Sequence, residues 1–254
     1  MEKKKVFNNN LIDRHLAITD GVFAIAMTIL VLEIAVPTLA DINSGVVLGD
    51  YFANYLLPAI VIYFISFYLV YNFWETTIVY FAFKKISNNV LILNMLAMAS
   101  VCLIPFATGF LFNFYNYIEV NLFFSLLILA ISLLYLIILI IIIRDNFPII
   151  IENKDQIKDK YNNKIDEGWV FPNFKIYMRG AVLTLFYLVI SPIITSIISI
   201  LLSFVSPFLS IVSFVLILIL KIIVRMKRVG TDSDNEGLTD SEKEFLAEIE
   251  DSIY

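Results

Sequence analysis

Charge is scarce in this chain of 254 residues: Asp, Glu, Lys and Arg together make up 16% of it, against about 25% in soluble domains. Hydrophobic residues make up 60%. So little polar surface cannot cover a water-soluble globule, which excludes a soluble enzyme, a nucleic-acid module and a disordered chain. The net charge of −5 and the lack of a basic patch likewise leave no place for nucleic acid as a partner. Cysteine and histidine occur once each, as Cys102 and His15. A lone cysteine forms no intrachain disulfide, and one histidine builds no His/Cys metal cluster. No G-x-S-x-G, H-E-x-x-H or Walker loop is present. The chain therefore reads as a membrane protein with no catalytic residues, resident metal or cofactor. Cys102 lies in an apolar run and reads as a packed thiol.

What is abundant is apolar length. A bilayer core about 30 Å thick is crossed by about 20 apolar residues in a helix. Six stretches meet that need, at 17–37, 53–74, 90–112, 120–143, 180–202 and 207–226. The second can run on through Phe83, and Pro192 is expected to kink the fifth. All eighteen Lys and Arg fall before the first stretch, after the second, between the fourth and fifth, or at the end of the sixth and beyond. The alternate connections 38–52, 113–119 and 203–206 contain none. This segregation is the positive-inside pattern and predicts an even number of spans with both termini cytoplasmic.

The expected organisation is an all-α membrane protein with six transmembrane helices. Residues 1–16 form a cytoplasmic N-terminus, 17–226 the transmembrane domain, 144–178 a cytoplasmic loop within it, and 227–254 an acidic cytoplasmic tail. The 144–178 loop reads as a linker, with Trp169 and Phe171 able to lie at the interface. In the tail, Thr239-x-x-Glu242 suits a capping box for a short acidic helix. A cleaved leader is not expected, because Asp20 and Glu33 bracket the first apolar run.

The first stretch carries the most information. Arg14 and Asp20 stand at its mouth, where ionised groups need a partner or water. Six residues of helix place them about 9 Å apart along the axis and roughly 120° apart around it. They are poorly placed to pair with each other, and each is expected to reach another helix or subunit. His15 reads as an interfacial side chain. Ile25, Thr28, Ile29 and Leu32 follow at i, i+3, i+4 and i+7, one stripe of the helix. Periodicity alone suits helix packing, with Thr28 bonded back to its own helix, as well as a pore lining.

The run Arg14-x-x-x-Ile18-Thr19-Asp20-Gly-Val-Phe-Ala-Ile-Ala-Met-Thr-Ile-Leu-Val-Leu-Glu33 resembles the first-helix signature of prokaryotic transmembrane protein 175-type potassium channels. Trp74 late in the second stretch, Leu93-Asn94 in the third, and the step Leu103-Ile104-Pro105-Phe106-Ala107-Thr108 are similar as well. Ile18 stands where the family has Phe, and Thr19 where it has Ser. Thr77 and Ile78 occupy positions where the family often carries a histidine pair.

The resemblance implies a homotetramer in the cell membrane with four first helices around a central axis, passing potassium without a re-entrant selectivity-filter loop. It implies that Ile25, Ile29 and Leu32 form the apolar constriction and Thr28 a polar ring between them. It further implies that Arg14, Ile18, Thr19, Asp20, Trp74 and Asn94 form a structural network. The expected partners are further copies of the chain, membrane lipids and potassium ions.

A secondary transporter is the alternative, since six helices with scattered polar residues also suit a carrier. Transporters usually carry repeated halves broken at matching places. Here Pro105 and Pro192 sit at dissimilar points. A membrane enzyme ranks third, because Asp20, Glu33 and Glu75 are too far apart in the chain to suggest a catalytic pair.

Overall fold

The computed structural model describes residues 2–37, 47–83, 85–161 and 187–222, with side chains over 12–37, 47–83, 85–146 and 187–222. Among these residues there is no strand. Helix α1 runs Glu2–Leu32, α2 Leu48–Phe81, α3 Asn88–Phe114 and α4 Ile118–Tyr161. Two shorter apolar helices follow, α5 at Tyr187–Ser203 and α6 at Pro207–Ile222. Four segments are long and apolar enough to cross a bilayer: Ile12–Leu32, Leu48–Phe81, Asn88–Phe114 and Ile118–Asn146. The acidic tail, with its Thr239 cap, and Trp169 and Phe171 lie outside the described residues.

Several helix ends differ from the sequence expectation, each for a local reason. α1 begins fifteen residues before position 17, because no Pro or Gly interrupts the chain between Glu2 and Asp20. It stops at Leu32 rather than 37, short of Pro37, which disfavours helical backbone at the residue before it. α2 contains a widened turn at Phe52–Leu56. Pro58 lies just beyond; its ring would otherwise strike the carbonyl of Asn54, four residues back. α3 is broken by a turn at Cys102, three residues before Pro105, where the same clash and a missing N–H are relieved. α4 continues to Tyr161, so 144–161 is helical where a linker was expected.

Cys102 departs from expectation too. Its thiol is exposed on the helix surface rather than packed in the core. An apolar run in a membrane protein faces lipid or partner as readily as interior, so hydropathy around a cysteine does not bury it.

The core is a single cluster that includes Phe23 and Leu30 of α1, Leu69 and Phe73 of α2, Ile104 and Phe112 of α3, Phe124 and Tyr135 of α4, and Phe214 of α6. α1 packs chiefly on α2 and then on α3, while α3 packs on α4. Polar side chains hold the other helices. Ser199 of α5 bonds Ser125 of α4 at 2.7 Å and the hydroxyl of Ser210 at 2.8 Å. Ser203 also reaches Ser210, at 2.9 Å. All four serines are buried. Hydroxyl pairs of this kind join helices where the hydrophobic effect gives no preference between neighbour and lipid.

Ser199 is the hub of that cluster. Replacing it (Ser199→Ala) is expected to cost about 0.6–1.7 kcal/mol, the range of interhelical hydrogen bonds in membranes. Thermal unfolding in detergent checks this, and an unchanged midpoint would mean the cluster contributes no stability.

Candidate functional site

Helix α1 has two apolar faces with opposite surroundings. Thr19, Phe23, Ala26 and Leu30 lie on the inward face, and Phe23 and Leu30 are 0% exposed. Ile18, Ile25, Ile29 and Leu32 lie on the other, with Ile25 60% and Leu32 78% exposed. From Ile25 to Leu32 the open stripe is about 10 Å tall at 1.5 Å per residue. Thr28 sits within it, also exposed, and its hydroxyl donates to the carbonyl of Ile25 at 2.9 Å. That bond uses the one hydroxyl proton and leaves the oxygen able to accept or coordinate.

α1 is tied to α2 at two levels, at Asp20 within the helix and at Ala35 just past its end. Past its midpoint, the Trp74 indole Nε1 donates to Asp20 Oδ1 at 2.9 Å. Beyond its last turn, the Ala35 N–H donates to the Tyr55 hydroxyl at 3.2 Å. The Tyr51 hydroxyl donates to the Ala35 carbonyl, and the two tyrosine rings stack with centroids 5.1 Å apart. The widened turn of α2 therefore lies among the residues that grip the end of α1.

A third tie reaches α3. Asn94, 1% exposed, is 2.9 Å from His15 Nε2 and donates to the Thr19 hydroxyl at 3.5 Å. Thr19 in turn donates to the His15 carbonyl at 2.8 Å. The His15 ring lies 5.3 Å from Phe81.

The structure thus brings together Asp20 with Trp74, and Thr19 with Asn94. Arg14 and Ile18 are exposed, and Arg14 makes no ion pair or hydrogen bond with another described residue. Sequence reasoning missed His15 as the link to Asn94. The signal was its position four residues before Thr19, one turn away on the same face. Also missed was Tyr135 of α4, fully buried, whose hydroxyl meets Thr77 at 2.9 Å while its carbonyl accepts from Tyr80 at 2.9 Å. Thr77 thereby pairs with α4 across the core, and Ile78 faces outward. Among the described residues no three His, Cys, Asp or Glu side chains are grouped to hold a metal.

The Asp20–Trp74 bond is expected to stabilise the subunit. Asp20→Ala leaves the indole without its acceptor and should cost about 1.5 kcal/mol, the low end for a hydrogen bond to a charged group because Asp20 is partly open to solvent. Ile18→Ala, on the open face of the same helix, should leave subunit stability unchanged. Thermal unfolding of both variants measures the contrast, and equal midpoints would remove Asp20 from the anchor.

Comparison with known proteins adds two findings. The model of a family described as the endosomal/lysosomal potassium channel TMEM175 matches residues 14–105. That range takes in the open stripe, both α2 ties and Asn94. The fold is similar to the crystal structure of a lysosomal potassium-selective channel TMEM175 homolog from Chamaesiphon minutus. The TM-score is 0.57 and the identity 23%, over 85% of this chain and 98% of that one. No curated protein matches. The resemblance carried by Arg14 to Glu33 is thus met by a family match and by a shared fold.

Proposed function

We propose that this protein is a potassium-permeable cation channel, not an enzyme, whose pore is lined by α1 from each of four identical subunits. The single observation that carries this is the uncovered stripe Ile25, Ile29 and Leu32 on a helix tied to α2 at Asp20 and again just past its end at Ala35. One helix cannot enclose a water-filled path, so copies must meet around that stripe. The match to a potassium-channel family over 14–105 supports potassium as the permeant ion. Each subunit crosses the cell membrane six times, α5 and α6 supplying the last two spans. Both termini, the acidic tail 227–254 and the 144–178 segment face the cytoplasm, as the placement of Lys and Arg favours. No cofactor takes part, and lipid covers the remaining apolar surface.

The physics of such a pore follows from its side chains. Aliphatic carbons cannot replace an ion's hydration shell, so rings of Ile25, Ile29 and Leu32 obstruct by excluding water. Rings spaced by three or four residues stand about 4.5–6 Å apart along the axis. The Thr28 oxygen, its proton committed to Ile25, is the one side-chain ligand among them able to coordinate a partly dehydrated cation. A filter loop of backbone carbonyls has no part in this scheme. A secondary transporter is the alternative reading, and flux down a potassium gradient with no coupled solute separates the two.

Ile25→Asn is expected to raise current and weaken potassium preference, because a polar ring admits water and hydrated sodium. Thr28→Val is expected to lower the potassium-to-sodium permeability ratio without enlarging conductance. Planar-bilayer recordings check both, and unchanged conductance and ratio in assembled Ile25→Asn protein would move the pore away from α1.

A further inference from the structure

One ion pair lies among apolar helices and includes no residue of the stripe. Lys221 of α6 pairs with the carboxylate of Glu75 on α2, and both side chains are largely covered, at 25% and 31% exposure. Charges held among membrane helices are costly and tend to be retained where they act. The ammonium also lies 4.7 Å from the centroid of the Tyr71 ring and 5.7 Å from that of Tyr68. Both distances are within the range of cation–π attraction. The Tyr71 ring in turn lies 5.6 Å from that of Trp74. Trp74 donates to Asp20 on α1. An unbroken series of contacts therefore runs from α6 through Tyr71 and Trp74 to the helix bearing the open stripe. Tyr68 reinforces its far end, since its hydroxyl lies 3.1 Å from that of Tyr187, which donates to the Ile217 carbonyl at 2.9 Å.

We infer that Lys221 and Glu75 are positioning residues for α1: the ion pair seats the cation against Tyr71, and Tyr71 backs the Trp74 indole on its bond to Asp20. This rests on the reading of α1 as the pore helix. It links α6 to the constriction. A cation removed from Tyr71 frees that ring. Trp74 then loses one of its walls, and Asp20 loses a fixed donor. A pair that only glued α6 to α2 would affect stability and leave the indole and the pore as they were.

The test uses the full chain with Trp169→Phe, so that Trp74 is the only tryptophan of the two that remains. Trp74 emission in detergent and the potassium-to-sodium permeability ratio in planar bilayers are the readouts. Lys221→Met is expected to shift the emission and lower the ratio about twofold to thirtyfold, the effect typical of changes along a coupled network. Lys221→Arg should keep both, since it preserves the ion pair and the cation over the ring. Tyr71→Leu, which leaves the ion pair intact and removes the link, should reproduce the Lys221→Met effect. It decides the matter if Lys221→Met does not assemble. Lys221→Met combined with Trp74→Phe should lower the ratio no further than Trp74→Phe alone.

Unaltered emission and ratio in assembled Lys221→Met or Tyr71→Leu, or additive losses in the double variant, would overturn the inference. Ile25→Asn in the same background keeps the two levels apart. If it alters current while Lys221→Met alters nothing, the inference alone falls. If Ile25→Asn also leaves current unchanged, the α1 pore falls and the inference with it.

Discussion

The bond between the Trp74 indole and Asp20 matters because of where it lies. Within a bilayer, lipid offers no partner to a polar group, so each polar group near the apolar interior must be met by protein or water. On α1 every described inter-helix polar contact of the span faces α2 or α3: Asp20 to Trp74, His15 and Thr19 to Asn94. The last turn is then followed by Ala35, held by Tyr51 and Tyr55. These ties fix the helix's rotation about its axis. A helix so fixed must present its remaining side, Ile25 to Leu32, away from its own subunit.

The rest of the subunit serves that placement. α2 is the frame, carrying residues that touch α1 at two heights and Tyr80 and Thr77 that lock onto Tyr135 of α4. Pro58 and Pro105 each sit beside a local distortion, one that brings two tyrosines under the end of α1 and one that turns α3 at Cys102. The serine cluster then joins α5 and α6 to α4 beside the apolar contact of Phe214 with Phe124. In a bilayer such a division is natural: apolar contact fills space, and hydrogen bonds choose neighbours.

Part of this was legible in the sequence, because bilayer thickness sets the length of an apolar stretch, and the first four stretches lie in helices long and apolar enough to cross. The resemblance implied a network of Arg14, Ile18, Thr19, Asp20, Trp74 and Asn94; the structure pairs Asp20 with Trp74 and Thr19 with Asn94 and leaves Arg14 and Ile18 exposed. Rotation was not legible. A soluble helix shows its inner face by contrast with a polar outer one, but on α1 Phe23 and Leu30 are buried while Ile25 and Leu32 are open, and all four are apolar. Cys102 was misplaced for the same reason. The pairs Thr77–Tyr135 and Glu75–Lys221 join residues 58 and 146 positions apart, and only the packed helices bring them together.

In the proposed channel the open face of α1 lines the ion path, and cysteine accessibility tests this most directly. Cys102 is exposed and must first be replaced by alanine. In that background Ile25→Cys channels, treated in the bilayer with a small charged thiol reagent during potassium conduction, should lose current as the reagent attaches. Leu30→Cys, on the covered face, should stay unmodified and conduct as before. Full modification at position 25, established by mass, with potassium current unchanged would contradict the account.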